Sequence, residues 1–288
     1  MTTRILMCAP EHFDIAYVIN PWMKGNVAHC DSTFAMWQWQ VLSRAIGRVA
    51  TVEMIRGAAG VPDMVFTANA GLVLDNKVVL SRFRHPERQP EEPLFENWFA
   101  AQRMDILHLP DDLYFEGAGD ALLDRRLPLL WMGWGHRSDA DCAPLLAEQL
   151  DIEVQPLNLI DPRFYHLDTC FCPLDGGHLL YYPEAFDAKS LHRIASRVPA
   201  AYRIEVGDED ARSFACNAVN IGTHVFLNQA SAALIDALGT RGYQVQQSPL
   251  SEFMKAGGAA KCLTLRLDER IASGHAPIDE AMACPTPG

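Results

Sequence analysis

Basic residues are scarce in this chain: 24 lysines and arginines stand against 36 aspartates and glutamates, a formal charge of −12. No run of Lys and Arg offsets the deficit, so the electrostatic footprint of a nucleic-acid binder is missing. Long apolar stretches are missing as well. None approaches the roughly 20 residues that span a bilayer, and the apolar run near the start is cut by Pro10. Neither a membrane partner nor a secretory signal is expected. No Pro/Gly/Ser-rich linker divides the sequence. One domain over residues 1–270 is therefore expected, followed by an unpatterned Ala/Pro/Gly-rich tail over 271–288.

The composition itself is globular: 49% of the 288 residues are apolar and 9% aromatic. That suffices for a large core and excludes disorder as the main state. Eight cysteines in such a chain, without secretory targeting, are expected as free thiols in the cytoplasm. The acidic balance mildly favours cationic small molecules.

One pattern recurs along the chain. A small or polar residue opens an apolar strand, and a turn leads into a second apolar strand. The openings are Asn69, Asp120, Thr169, Asn217 and Cys262, spaced by 51, 49, 48 and 45 residues. The turns carry Asp75-Asn76, Asp175-Gly176-Gly177 and Gly222-Thr223, which is hairpin chemistry. Helix-like apolar spacing follows at 33–46, 91–102, 139–150 and 228–242, and more weakly near 185–196. Hairpin, helix and linking strand thus repeat five times, which predicts an α/β ring of repeats. The fifth unit ends soon after Arg266. Its second strand is expected from the N-terminal ILMCAP segment, which would close the ring and remove exposed sheet edges.

Closure would gather polar strand openings around one axis, where polar groups need partners or a ligand. Several residues there could carry chemistry. Cys262 follows Lys261 and a Gly257-Gly258 turn; it reads as a nucleophile whose pKa is lowered by the lysine, or as a buried packing thiol. His166 precedes Asp168 by two residues; on a strand the carboxylate would share the imidazole's face and orient it for acid–base work. Glu116 and Asp120 flank a Gly-Ala-Gly turn and could hold a planar cation, or could lie in a solvated loop. Cys170 and Cys172 share a strand face and suit packing better than a metal site, since no second ligand pair stands out. Arg82, Arg84, Arg88 and Arg137 lie in or beside loops and could grip a carboxylate or form surface ion pairs. Asn20, before Pro21, reads as turn chemistry.

Taken in order, these segments resemble the guanidino-group-modifying enzymes of the pentein superfamily. That superfamily comprises arginine deiminases, dimethylarginine dimethylaminohydrolases, amidinotransferases and arginine dihydrolases. The resemblance runs over about residues 5–268, through PDMVFTANAG, FEGAGD, FYHLDT and GGAAKCLTL. It implies a five-bladed, pseudo-symmetric α/β propeller. It also implies Cys262 as nucleophile, His166 as general acid and base, and Glu116, Asp120 and Asp168 as guanidinium or histidine partners. Asn20, Arg88 and Arg137 would hold the amino-acid end of the substrate. The arginine dihydrolase group matches best, because Asn69 stands where deiminases and dimethylaminohydrolases carry an acid. An amide both donates and accepts, so it suits a neutral ureido group as well as a guanidinium. The expectation is arginine hydrolysed to ornithine, ammonia and carbon dioxide, with no cofactor and no metal. The alternatives are a single-step deiminase or dimethylaminohydrolase, or an amidinotransferase. The expected partner is a small-molecule substrate, with a homo-oligomer as the one assembly allowed for.

Overall fold

The computed structural model describes residues 2–272, so that nearly all of the expected tail, from 273 to 288, lies outside the described residues. The strands form five three-stranded sheets, one per repeat. The first contains β1 (Arg4–Cys8), followed by helix α1 (Ser32–Ile46) and β2 (Thr51–Ile55). The second is β3 (Gly71–Leu74), β4 (Lys77–Leu80), α2 (Glu92–Ala101) and β5 (Asp105–Leu107). The third is β6 (Ala121–Leu123), β7 (Leu129–Trp134), α3 (Cys142–Leu150) and β8 (Glu153–Asn158). The fourth is β9 (Phe171–Pro173), β10 (Leu179–Tyr181), α4 (Ala188–Arg197) and β11 (Arg203–Glu205). After the short helix α5 (Asp208–Arg212), the fifth repeat supplies β12 (Val219–Ile221), β13 (His224–Leu227), α6 (Ala232–Gly239) and β14 (Gln244–Gln247). Helix α7 (Ser251–Met254) leads to β15 (Leu265–Arg266).

Every sheet has the same wiring: an antiparallel pair, then a parallel pair joined through a helix. Local chemistry accounts for the pieces. Asp75 turns the β3–β4 hairpin with a φ of 53° and Gly222 the β12–β13 hairpin with 59°, the left-handed values such tight turns demand. Side chains of Asp31, Asp187 and Ser231 accept from the first-turn amides of α1, α4 and α6. The inner strands β3, β6, β9 and β12 are buried throughout, whereas the outer strands β2, β5 and β14 are only partly buried. That gradient sets which end of each sheet faces the axis.

The N-terminal segment closes the ring as expected. β1 pairs antiparallel with β15, Ile5 against Arg266 and Leu6 against Leu265, and parallel with β2. The sheet edge that β15 would otherwise expose is covered by the opposite end of the chain. Among the described residues, no helix is long and apolar enough to cross a membrane.

One local expectation changes. Just before their inner strands, residues Thr67–Ala70, Gly117–Gly119 and Leu167–Thr169 form single turns of 3₁₀ helix rather than extended chain. Three residues per turn rotate alternate side chains apart. His166 and Asp168 therefore do not share a face.

Candidate active site

Hydrogen bonds join the strand openings into a closed ring. Ala68 N donates to the Cys262 carbonyl at 3.1 Å, and Asn69 Nδ2 to the Glu116 carbonyl at 3.4 Å. Leu167 N donates to Asp120 Oδ1 at 3.0 Å, and Asn217 Nδ2 to the Asp168 carbonyl at 2.9 Å. Cys262 N completes the circuit at Asn217 Oδ1, 3.3 Å away. Each bond crosses from one repeat to the next, so polar residues at the axis are satisfied by their neighbours.

Cys262 is buried, and its Sγ lies 3.4 Å from Asp168 Oδ2 and 3.1 Å from Asn217 Nδ2. Burial, reinforced by Asp168, pushes the thiol well above its ordinary pKa. This reverses the effect expected of Lys261, whose ammonium turns to the carbonyls of Ala118 and Thr264, 3.5 Å away. Lys261 acts instead on Asp168. Burial pushes that carboxyl up to about 7, while Lys261 and hydrogen bonds from Cys262 and Asn217 oppose the rise. The thiol is thus held as a thiol beside a proton-accepting carboxylate.

His166 finds its carboxylate elsewhere: Nε2 lies 2.6 Å from Glu116 Oε2. Arg137 Nη1 donates to the same oxygen at 3.0 Å, and both side chains are almost fully buried. Burial would raise the Glu116 carboxyl, but Arg137, His166 and Arg88 hold it well below the ordinary range. An ionised Glu116 orients the imidazole, the part expected of Asp168. The Glu116–Gly-Ala-Gly turn can come this close to the start of β3 because Gly117 has a φ of 60°, and a Cβ there would sit 2.8 Å from Gly71 N.

Asp120 was expected beside a guanidinium, and its oxygens are committed otherwise. Oδ2 accepts from Ser138 Oγ at 2.7 Å, and Oδ1 accepts the Leu167 amide. It braces the turn that carries His166. The four loop arginines divide in two. Arg82 pairs with exposed Asp111 at 3.0 Å, and Arg84 with half-buried Asp139. Arg88 and Arg137 are buried, over the rings of Phe83 and Tyr165 at 4.3 and 4.5 Å. Arg88 forms a bidentate pair with Glu91 at 2.9 and 2.8 Å and donates from Nη1 to Asn69 Oδ1 at 2.8 Å. Cys170 and Cys172 are core residues whose thiols donate to the Leu167 and Ala218 carbonyls.

Asn20 does form a turn, accepting from Trp22 N and Met23 N, and Nδ2 donates to the Ala256 carbonyl at 2.9 Å. This ties the segment after β1 over the axis, where Arg137 Nη2 also donates to the Ile19 carbonyl at 3.0 Å. Beneath it lies a pocket of about 240 Å³ lined by Asn20, Asp63, Asn69, Arg88, Arg137 and Cys262, among others. A larger cavity, about 490 Å³, opens behind Lys261, beside Arg125 and Cys172. Neither the thiol, His166 nor Glu116 lines it.

Two residues were not picked out from the sequence as part of the site. Asp63 lines the pocket, accepts from Tyr17 Oη at 2.9 Å, and leaves Oδ1 buried with no partner. Burial raises its carboxyl. Only its membership of the PDMVFTANAG segment pointed to it. Asn217, noted as a strand opening, also accepts from the amides of Ala259 and Lys261 at 3.1 Å and so shapes the Cys262 loop.

A thiol and two buried arginines around one small pocket, with a carboxylate-bound imidazole joined to Arg137 through Glu116, are the parts of a covalent amidine hydrolase. The family model described as N,N dimethylarginine dimethylhydrolase, eukaryotic, matches residues 33–268. The chain belongs to this family. The bifunctional arginine dihydrolase/ornithine cyclodeaminase ArgZ of Synechocystis sp. is 56% identical over 93% of this chain and 38% of its own length. AgrE of Nostoc sp., which carries the same description, is 55% identical over 94% of this chain and 39% of its own. The chain thus spans about two fifths of the length of these relatives. The solved N-terminal domain of ArgZ bound to substrate superposes with a TM-score of 0.93, at 55% identity, covering 93% of this chain and 99% of that one. The likeness extends over all five sheets, so this dimethylarginine dimethylhydrolase family member is an α/β propeller of five blades.

Proposed function

We propose that this chain is an arginine dihydrolase, converting L-arginine and two waters to ornithine, carbon dioxide and two ammonia. The observation that carries the reading is Asn69, a neutral amide lining the same pocket as Cys262 where a guanidinium-gripping acid would otherwise stand. Similarity to ArgZ and AgrE over nearly the whole chain supports it.

In this reading Arg88 and Arg137 draw the α-carboxylate into the pocket, and the free Oδ1 of Asp63 accepts from the α-ammonium. Asp168, with Cys262 at 3.4 Å, takes the guanidinium-binding part expected of Asp120, whose oxygens already accept from Ser138 and Leu167. Arrival of that cation favours ionisation of the neighbouring thiol, the reverse of what burial does in the empty site. The thiolate attacks the guanidinium carbon. His166, held by Glu116, protonates the departing nitrogen, so ammonia leaves and an S-alkyl thiouronium remains. Water that gives its proton to His166 attacks next, releasing citrulline and thiolate. Citrulline then re-enters the same sequence: attack at the ureido carbon, loss of ammonia, and hydrolysis of the thiocarbamate to N-carboxyornithine, which loses carbon dioxide. Covalent catalysis of this kind calls on no metal or organic cofactor.

The test is incubation with arginine in a chelator, following ornithine, citrulline, urea and ammonia by mass spectrometry and colorimetry. Ornithine with two equivalents of ammonia and no urea is the expected result. Citrulline that accumulates with one equivalent would make the chain a deiminase. Turnover of dimethylarginine in preference to arginine, or transfer to an added amine, would replace the substrate or the acceptor in this reading.

A further inference from the structure

We infer that the buried Glu91–Arg88 pair is a positioning device that fixes the Asn69 amide as a hydrogen-bond donor and so controls how far hydrolysis proceeds. The inference rests on the two-step reading above and deepens it.

Glu91, Arg88 and Asn69 form a chain with every link short and hidden from water. Glu91 is fully buried, Arg88 and Asn69 nearly so. Two guanidinium nitrogens of Arg88 are spent on Glu91, which leaves Nη1 aimed at Asn69 Oδ1, 2.8 Å away. Arginine has donors only, so the amide atom facing it must be the oxygen. The NH₂ group is thereby turned to the other side, against Gly119 and the Glu116 carbonyl, to which it donates at 3.4 Å. A Cβ on Gly119 would lie 2.2 Å from Asn69 Nδ2 and 3.4 Å from His166 Nδ1. The missing side chain of Gly119 is the space that the amide occupies.

Arg88 takes one lone pair of Oδ1 and the Glu116 carbonyl takes one N–H of Nδ2, so Asn69 keeps its second N–H free while its oxygen stays turned to Arg88. That suits the carbonyl oxygen of a ureido group better than the N–H groups of a guanidinium. An amide released from Arg88 could flip and serve either substrate. The pair therefore biases the site toward its second substrate, citrulline. Glu91 does not itself line the pocket; it acts through Arg88.

The experiment measures kcat/KM for arginine and for citrulline in wild type, E91Q, E91D and G119A, with thermal melting to confirm folding. The two substrates share one amino-acid end, so any damage to carboxylate binding through Arg88 cancels in their ratio. E91Q removes the charge that holds Arg88, and G119A crowds the amide from its other side. Both are expected to lower the citrulline-to-arginine ratio about tenfold, the scale of one neutral hydrogen bond, with citrulline appearing in solution. E91D, which keeps the charge, is expected to recover part of the ratio. Equal losses on both substrates would make Glu91 a structural counter-ion and overturn the inference, as would an unchanged ratio in either variant. A wild type that leaves added citrulline untouched would overturn the two-step reading itself and remove the step that the pair controls. That result is distinguishable because it needs no variant.

Discussion

Asn217 offers a sharp test of how the site is built. Its Oδ1 accepts from the amides of Ala259, Lys261 and Cys262 at 3.1, 3.1 and 3.3 Å. Its Nδ2 bridges the Asp168 carbonyl and the Cys262 thiol. Asn217→Ala removes all of these bonds. Lys261 N keeps a second acceptor, the Asn217 carbonyl at 3.2 Å, so two amides lose the partner they have. Counting only those two stranded amides, at about 1.5 kcal/mol each, the cost is about 3 kcal/mol. For a domain of this size that lowers the melting temperature by roughly 6–12 °C. Asn217→Asp separates structure from chemistry. It keeps the acceptor for the three amides and turns a second acceptor toward the Asp168 carbonyl and the thiol. The aspartate variant should recover part of the stability and yet lose turnover at least as severely, because an added negative charge opposes thiolate formation. Calorimetry and initial rates on arginine, taken on both variants, decide the matter. An alanine variant within about 0.5 kcal/mol of wild type, or an aspartate variant with full turnover, would refute the reasoning.

Further outcomes follow from the same geometry. Cys262→Ser should abolish turnover while arginine still raises the melting temperature, since the pocket's arginines and Asp63 are untouched; residual turnover above a hundredth of wild type would count against a covalent route. Glu116→Leu leaves Arg137 buried without its carboxylate and should cost about 3–5 kcal/mol in urea denaturation. The double variant with Arg137→Leu should cost less than the two singles together, and simple additivity would show that the pair is not coupled. Asp168 ties stability to pH. Its carboxyl is raised from 3.8 to about 7 in the fold, so the native state retains a proton that the unfolded chain gives up from about pH 4. Its contribution to stability is complete below that pH and is lost as pH rises through 7. Asp168→Asn should therefore gain stability relative to wild type between pH 4 and 7; a difference constant with pH would contradict the raised carboxyl.

Much of the architecture could be read directly from the order of residues. The spacing from Asn69 to Cys262 foretold five repeats, and the alternation of hairpin and helix gave each repeat its wiring. The N-terminal strand was expected at the incomplete fifth unit and is paired there. These are local signals: turn residues, apolar period and helix caps act over a few positions and need no knowledge of the rest of the chain. The same reasoning brought Cys262, His166, Glu116 and Asp168 toward one axis, because polar residues opening buried strands must meet something polar.

Which of them would meet was decided only in three dimensions. His166 and Asp168 are two residues apart, yet a 3₁₀ turn rotates them away from each other. His166 instead takes Glu116, fifty positions earlier, and Asp168 takes the thiol, 94 positions later. Arg82 and Arg88 belong to one loop, but one meets solvent and the other closes on Asn69. Glu91 gave no sign of its part beyond being acidic, and Asp63 none beyond its segment, since a carboxylate's role depends on which partner the fold brings against it. The sequence determined the period, and with it the residues that reach the centre. The rotation of each blade against the next determined their pairing, because hydrogen bonds between blades form across contacts that no local pattern encodes.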